Sequence, residues 1–272
     1  MSLVSTDWLI ENIDNVKIID SSWHLPNQGR DAKEEYIYEH IKNSIFFDID
    51  KNSNQETDLP HMLPSLDSWE DILSNLGITN KDKIVIYDNS EVISSCRCWY
   101  TFRYFGHNPS MVSVLNGGLK KWIQEGKPTV NYETIINRSF YKAQENKNMV
   151  KSKAEIKKNV ELKDFQLVDA RSYERFEGKV PEIRSNVRSG SIEGSYCLPY
   201  TQIIDKSNNT FKNIDDLNKI FKNIINTEEN NIVFSCGSGV TASVLALAYS
   251  LINTKYNPTI YDGSWSEYGL IK

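Results

Sequence analysis

Cys236 ends Asn231-Ile-Val-Phe-Ser-Cys236, an apolar run of strand length, and opens the loop Cys236-Gly-Ser-Gly-Val-Thr-Ala242. A helix-length apolar run from Thr241 to Ile252 follows. In parallel α/β sheets ligands collect at the carboxyl ends of the strands, so a cysteine at this point stands where chemistry is done. Gly237 and Gly239 permit a tight loop whose backbone N–H groups converge, and the positive end of the next helix adds to their field. Converging donors favour anions, and Cys236 is expected to react as a thiolate nucleophile. The backbone of Gly237, Gly239, Val240 and Thr241 is the expected cradle for its substrate, with the Ser238 and Thr241 hydroxyls as further donors. A free cysteine is ordinarily a small buried apolar residue. The two glycines flanking a serine directly after Cys236 tip the reading toward catalysis.

The other cysteines, Cys96, Cys98 and Cys197, have no such loop; Cys197, in Tyr-Cys-Leu-Pro199, reads as core. No Cys-x-x-Cys and no Cys/His ladder is present, so a structural zinc site is not expected; the expected chemistry of Cys236 involves neither a metal nor an organic cofactor. Lys and Arg number 31 against 36 Asp and Glu, a net charge of −5, which excludes a uniformly basic nucleic-acid binder. Hydrophobic residues make up 39 % of the 272 positions and charged residues 25 %, the balance of a globular chain. The longest apolar stretch, Val240 to Ile252, is broken by Thr241, Ser243 and Ser250 and is shorter than the ~20 residues of a membrane helix. Met1–Ile10 shows no secretory leader. A cytoplasmic protein without nucleic-acid or membrane partners is expected.

The elements that position Cys236 occur twice. Lys83-Ile-Val-Ile-Tyr-Asp88, a polar loop, a helical segment around Trp99–Phe105, Val112-Ser-Val-Leu-Asn-Gly-Gly118 and Trp122 form one series. The strand before Cys236, its loop and helix, Thr259-Ile-Tyr-Asp-Gly-Ser264 and Trp265 form the other. Upstream, Ser5-Thr-Asp-Trp leads to Val16-Lys-Ile-Ile-Asp20, and the capping box Ser152-Lys-Ala-Glu155 leads to Gln166-Leu-Val-Asp169. Ser65–Leu76 places Trp69, Ile72, Leu73 and Leu76 on one helical face and stops at Gly77. Short apolar strands alternating with helices imply two α/β domains with mostly parallel sheets flanked by helices. The expected boundaries are 1–135 and 151–272, joined by a linker over 136–150. Asp88 takes the place of Cys236 in the first domain, which is therefore expected to be catalytically silent.

At this point the chain resembles the two-domain rhodanese-like sulfurtransferases. The resemblance covers nearly the whole chain and rests on Phe46-Phe-Asp-Ile-Asp50, His61-Met-Leu-Pro64, Asn116-Gly-Gly-Leu119, Asp169-Ala-Arg171, Arg175-Phe176, the Cys236 loop and Tyr261-Asp-Gly-Ser-Trp265. Its loop looks like the form that uses 3-mercaptopyruvate; thiosulfate-preferring relatives usually carry Arg and Lys where Gly237 and Ser238 stand. The resemblance implies that Cys236 takes sulfur from a small-molecule donor, holds it as a persulfide and passes it to a thiol, cyanide or a thioredoxin-like acceptor. It further implies a proton relay of Ser238, His61 and Asp50, drawn from both halves of the chain, and a donor carboxylate bound by Arg175 and Arg184. Guanidinium groups suit that task because their planar fork matches a carboxylate. Arg171 and Arg188 are rivals, and Arg188 replaces Arg184 if the loop register differs. Ser191 and Glu39 depart from the family, where His and Gly are common; altered local packing is the expected consequence.

Three other readings remain beside this one. A thiosulfate:cyanide sulfurtransferase is the nearest, although neutral Gly237 and Ser238 offer a dianion less attraction than Arg and Lys. A cysteine phosphatase needs an arginine six positions after the cysteine, and Ala242 stands there. A binding module without catalysis is disfavoured by the intact cysteine loop.

Overall fold

The computed structural model describes residues 2–225 and 231–271. The chain forms two compact units, one of Met1–Gln55, Leu63–Asn146 and Lys206–Thr210, the other of Glu56–Met62, Lys147–Asp205 and Phe211–Lys272.

In the first unit a five-stranded parallel sheet is built from β1 (Leu3–Val4), β2 (Lys17–Asp20), β3 (Ser44–Phe46), β4 (Ile84–Tyr87) and β5 (Val112–Leu115). Their spatial order is β1-β5-β4-β2-β3. The helices are α1 (Thr6–Asn12), α2 (Ala32–Tyr38), α3 (Leu66–Asn75), α4 (Ser95–Tyr104) and α5 (Gly118–Gln124). Every residue of β4 is buried, as expected where helices cover both faces of a parallel sheet. Leu9, Ile18, Val85, Leu115 and Trp122 share one apolar cluster. The Ser5 hydroxyl caps α1 by accepting from the Trp8 N–H, and Ser65 does the same for α3 from Ser68. α3 ends at Asn75 with Leu76 as its C-cap, followed by Gly77 at φ +66°, a backbone angle that favours glycine. His40–Ile41 and Thr129–Val130 add a small antiparallel ribbon.

The second unit repeats the plan with β6 (Val150–Lys151), β7 (Gln166–Asp169), β8 (Tyr196–Cys197), β9 (Ile232–Ser235) and β10 (Ile260–Tyr261). The order β6-β10-β9-β7-β8 is the same permutation, again parallel throughout. Its helices are α6 (Lys153–Leu162), α7 (Tyr173–Phe176), α8 (Ile214–Lys222), α9 (Val240–Ile252) and α10 (Ser264–Tyr268). The capping box of Ser152 and Glu155 is formed at α6. Ile156, Leu167, Val187, Val233 and Trp265 pack together beneath one face of the sheet.

The repeat extends to single hydrogen bonds. Ser21 N–H donates to the Tyr87 carbonyl at 2.9 Å, and Ala170 N–H to that of Ser235 at 2.8 Å. Phe47 N–H donates to Asp20 at 2.7 Å, and Leu198 N–H to Asp169 at 2.9 Å.

Two local expectations need correction. Much of the stretch read as a linker is pinned to the first unit: Ser139, Gln144 and Asn146 N–H groups donate to the carbonyls of Ser74, Phe105 and Tyr104, and Tyr141 is buried. Its last residue, Val150, already belongs to β6. Cys197, read as core, is only half-buried, because β8 is the edge strand of its sheet. No helix among the described residues is long and apolar enough to cross a membrane.

Candidate active site

Cys236 follows the last residue of β9, and α9 begins four positions later. Gly239 caps α9 in the left-handed conformation, φ +81°, and its N–H donates to the Cys236 Sγ at 3.1 Å. That contact is a backbone donor on the sulfur, of the kind the glycine pattern calls for. The loop is held from outside by the turn that starts α10. Ser264 accepts the Cys236 N–H at 3.1 Å while its own hydroxyl donates to the Tyr261 carbonyl at 2.8 Å. Trp265 N–H donates to the Cys236 carbonyl at 2.9 Å and Ser266 N–H to that of Gly237 at 2.8 Å. Ser264 takes φ +48°, a left-handed backbone angle that costs a non-glycine residue energy and is retained where the surroundings enforce it.

Cys236 is 1 % exposed, the burial of a packing cysteine. Gly237 and Thr241 beside it are partly exposed. Val240 and Ala242 turn inward and are buried.

Ser238 is buried, and its Oγ lies 2.8 Å from Nδ1 of His61. His61 belongs by sequence to the first half, yet the segment Glu56–Met62 packs with the second unit. It is itself buried and holds φ +60°, a strained angle of the kind that clusters at functional sites. Asp50 belongs to the first unit, where one carboxylate oxygen accepts from the Trp23 indole at 2.9 Å.

The arginines separate into distinct roles. Arg171 has a fully buried side chain: it forks onto Asp169 at 2.7–3.1 Å, donates to the Gly190 carbonyl at 2.9 Å and to Glu182 at 2.8 Å, and lies over the Trp265 ring. A guanidinium so saturated has no fork left for a substrate. Arg188 is exposed and lies 4.5 Å from the centre of the Trp265 ring. Arg175 is 24 % exposed and borders the loop, since a Cβ on Gly237 would come 3.3 Å from its Nη2. Its Nη2 and Nε face Glu182 at 2.5 and 3.4 Å. Arg184 is half-buried, and its carbonyl accepts from the Val187 N–H.

Comparison with known proteins gives this geometry a lineage. The Rhodanese-like domain matches the chain twice, over residues 5–125 and 152–270. The chain belongs to the rhodanese-like family. It is 37 % identical to the mitochondrial thiosulfate/3-mercaptopyruvate sulfurtransferase 1 of Arabidopsis thaliana, over 98 % of this chain and 75 % of that protein. It is 34 % identical to the 3-mercaptopyruvate sulfurtransferase of Mus musculus, over 98 % and 91 %. Among solved structures, the 3-mercaptopyruvate sulfurtransferase SseA of Escherichia coli superposes with a TM-score of 0.87 at 31 % identity, covering 97 % of this chain and 99 % of that one.

In the first rhodanese-like repeat the corresponding loop carries an acid. Asp88 accepts the N–H of Ser90 at 2.8 Å and of Ser95 at 2.9 Å, so its carboxylate already fills the position toward which the loop donors point. Burial raises its pKa above the ordinary carboxylate value. The Leu119 N–H holds the Asp88 carbonyl at 2.9 Å as Trp265 holds that of Cys236.

Two residues of the rhodanese-like site escaped sequence reasoning. Ser264 lay inside a motif with no role attached. Glu182 had no signal: it comes from an irregular segment, and its partners Arg171 and Arg175 are 11 and 7 positions away.

Proposed function

We propose that the protein is a sulfurtransferase that takes sulfur from 3-mercaptopyruvate onto Cys236 and passes it to a thiol, cyanide or a thioredoxin-like acceptor. The observation that carries the proposal is the Gly239 N–H on Sγ, in a loop whose next side chain, Ser238, is bonded to His61. The Cys236 thiolate attacks the donor sulfur. An S–S bond forms, the donor C–S bond breaks, and its electron pair passes to the ketone as the enolate of pyruvate. Ser238, supplied through His61, is placed to return the proton that completes pyruvate. The Gly239 N–H then faces a persulfide anion instead of a thiolate, and stabilises both. Arg175 binds the donor carboxylate, with Arg184 as its partner, and the backbone from Gly237 to Thr241 encloses the sulfur.

The decisive experiment is side-by-side turnover of 3-mercaptopyruvate and thiosulfate, with mass spectrometry for one added sulfur on Cys236. Faster turnover of 3-mercaptopyruvate with sulfur on Cys236 supports the reading; sulfur elsewhere, or none, overturns it. The Arabidopsis relative carries both donors in its name, and thiosulfate is the second donor here. A cytoplasmic location completes the proposal: all four cysteines are free thiols, which suits a reducing compartment, and cell fractionation tests it.

A further inference from the structure

Four ionised side chains run in alternating sign beside the cysteine loop: Asp169, Arg171, Glu182 and Arg175. The inner three are nearly sealed from solvent, with side-chain exposures of 3, 0 and 4 %. Only Arg175, at 24 %, reaches the surface beside Gly237. One oxygen of Glu182 is shared, accepting from Arg171 at 2.8 Å and facing Arg175 Nε at 3.4 Å, while the other takes Arg175 Nη2 at 2.5 Å. The quartet as a whole carries no net charge. The loop itself adds no cation, since Gly237, Ser238 and Thr241 are neutral.

We propose that Glu182 is a specificity-determining residue that sets donor choice by charge, cancelling the guanidinium charge beside the loop so that a monoanionic donor is favoured over a dianionic one. The inference rests on the sulfurtransferase reading above. 3-Mercaptopyruvate presents one carboxylate, whereas thiosulfate carries two negative charges. A buried anion is poorly screened, and its repulsion scales with the charge of what approaches. Glu182 therefore penalises the dianion twice as strongly, in free energy, as the monoanion. Glu182 holds the guanidinium of Arg175 through Nε and Nη2, so Arg175 stays placed beside the loop while long-range attraction is removed.

The test compares wild type, Glu182→Gln and Glu182→Asp in kcat/KM for both donors across a potassium chloride series. Glu182→Gln is expected to raise kcat/KM for thiosulfate in absolute terms and to lift the thiosulfate-to-mercaptopyruvate ratio roughly tenfold, an effect that a poorly screened buried charge largely keeps across the salt series. Glu182→Asp keeps the charge and should hold the wild-type ratio within about twofold. A Glu182→Gln enzyme with an unchanged ratio, or with poorer thiosulfate turnover, overturns the proposal. A Glu182→Asp enzyme whose ratio shifts also overturns it, and this variant decides the matter alone if Glu182→Gln does not fold. Sulfur on wild-type Cys236, checked first by mass, separates the two levels. Its absence removes the sulfurtransferase reading, whereas its presence with an indifferent Glu182 removes only the charge role.

Discussion

The Ser238 hydroxyl and Nδ1 of His61 lie 2.8 Å apart although 177 positions separate them in the chain. Both are buried, so water does not compete for the bond, and a proton exchanged between them stays within the site. Ser238 is also two residues from the sulfur, on the loop that places the Gly239 N–H. The pair thus ties an imidazole to the loop that carries Cys236.

That arrangement matters only where the departing group needs a proton. An enolate does; sulfite, released from thiosulfate, leaves as a stable anion. Ser238→Ala should lower kcat for 3-mercaptopyruvate by about a hundredfold, the low end for a general acid. Thiosulfate turnover should fall by less than roughly threefold. Steady-state kinetics with both donors checks this, and equal losses would assign the pair to folding alone.

Cys236→Ser keeps a small side chain that can still accept the Gly239 N–H, but a hydroxyl does not form the persulfide. The variant should carry no added sulfur after exposure to either donor, and turnover should drop to background. Its unfolding free energy should stay within about 1 kcal/mol of wild type, since the loop is held mainly by Ser264, Trp265 and Ser266. A sulfur-loaded Cys236→Ser protein would relocate the nucleophile to another of the four cysteines.

What the sequence made legible was what is local. The strand, cysteine, glycine loop and helix are contiguous, and each signals its conformation through residue type, so the Cys236 cradle could be read directly. The repeat was legible because both copies keep the same apolar strands, and it placed Asp88 opposite Cys236. Glu182 was not, because it lies in a segment with neither helical nor strand period and meets Arg171 and Arg175 only after the chain folds back. The same holds for His61: residues 56–62 have no pattern that assigns them to the second unit, and the contact that does so spans most of the chain.

The two repeats also differ in how they treat one buried acid. Asp169 is paired with Arg171, whereas its counterpart Asp20 has Ser22 in that place, whose N–H donates to it at 2.9 Å, and the neutral hydroxyls of Ser22 and Tyr87 instead of a guanidinium. Burial pushes the Asp20 carboxyl up to about 6, against an ordinary value of 3.8. A folded-state pKa above the unfolded one means that the folded chain holds its proton longer. Stability is therefore full below pH ~4 and declines as pH rises toward 6. Asp20→Asn removes the decline: it should be nearly neutral at pH 4 and stabilise by up to about 3 kcal/mol at pH 7. Urea unfolding followed by tryptophan fluorescence is a suitable readout, because Trp8, Trp23, Trp69, Trp99 and Trp122 all lie in the first unit. The same stabilisation at both pH values would refute a raised pKa at Asp20.

Gly237 tests how closely the loop and the Arg175 guanidinium are coupled. Its backbone angle is not among the left-handed ones, so glycine is not required there by conformation. It is required by space: a Cβ would stand 3.3 Å from Arg175 Nη2, tighter than an ordinary contact, and the guanidinium is the part free to move. Gly237→Ala should leave folding stability within about 0.5 kcal/mol of wild type, as a substitution without backbone strain or core disturbance does. It should raise KM for 3-mercaptopyruvate about three- to tenfold with little change in kcat, the pattern of weakened ground-state binding. In an Arg175→Ala background the same substitution should have almost no further effect, because residues in contact do not act additively. A penalty that persists undiminished in the double variant would mean that position 237 acts on the sulfur itself and not through the arginine.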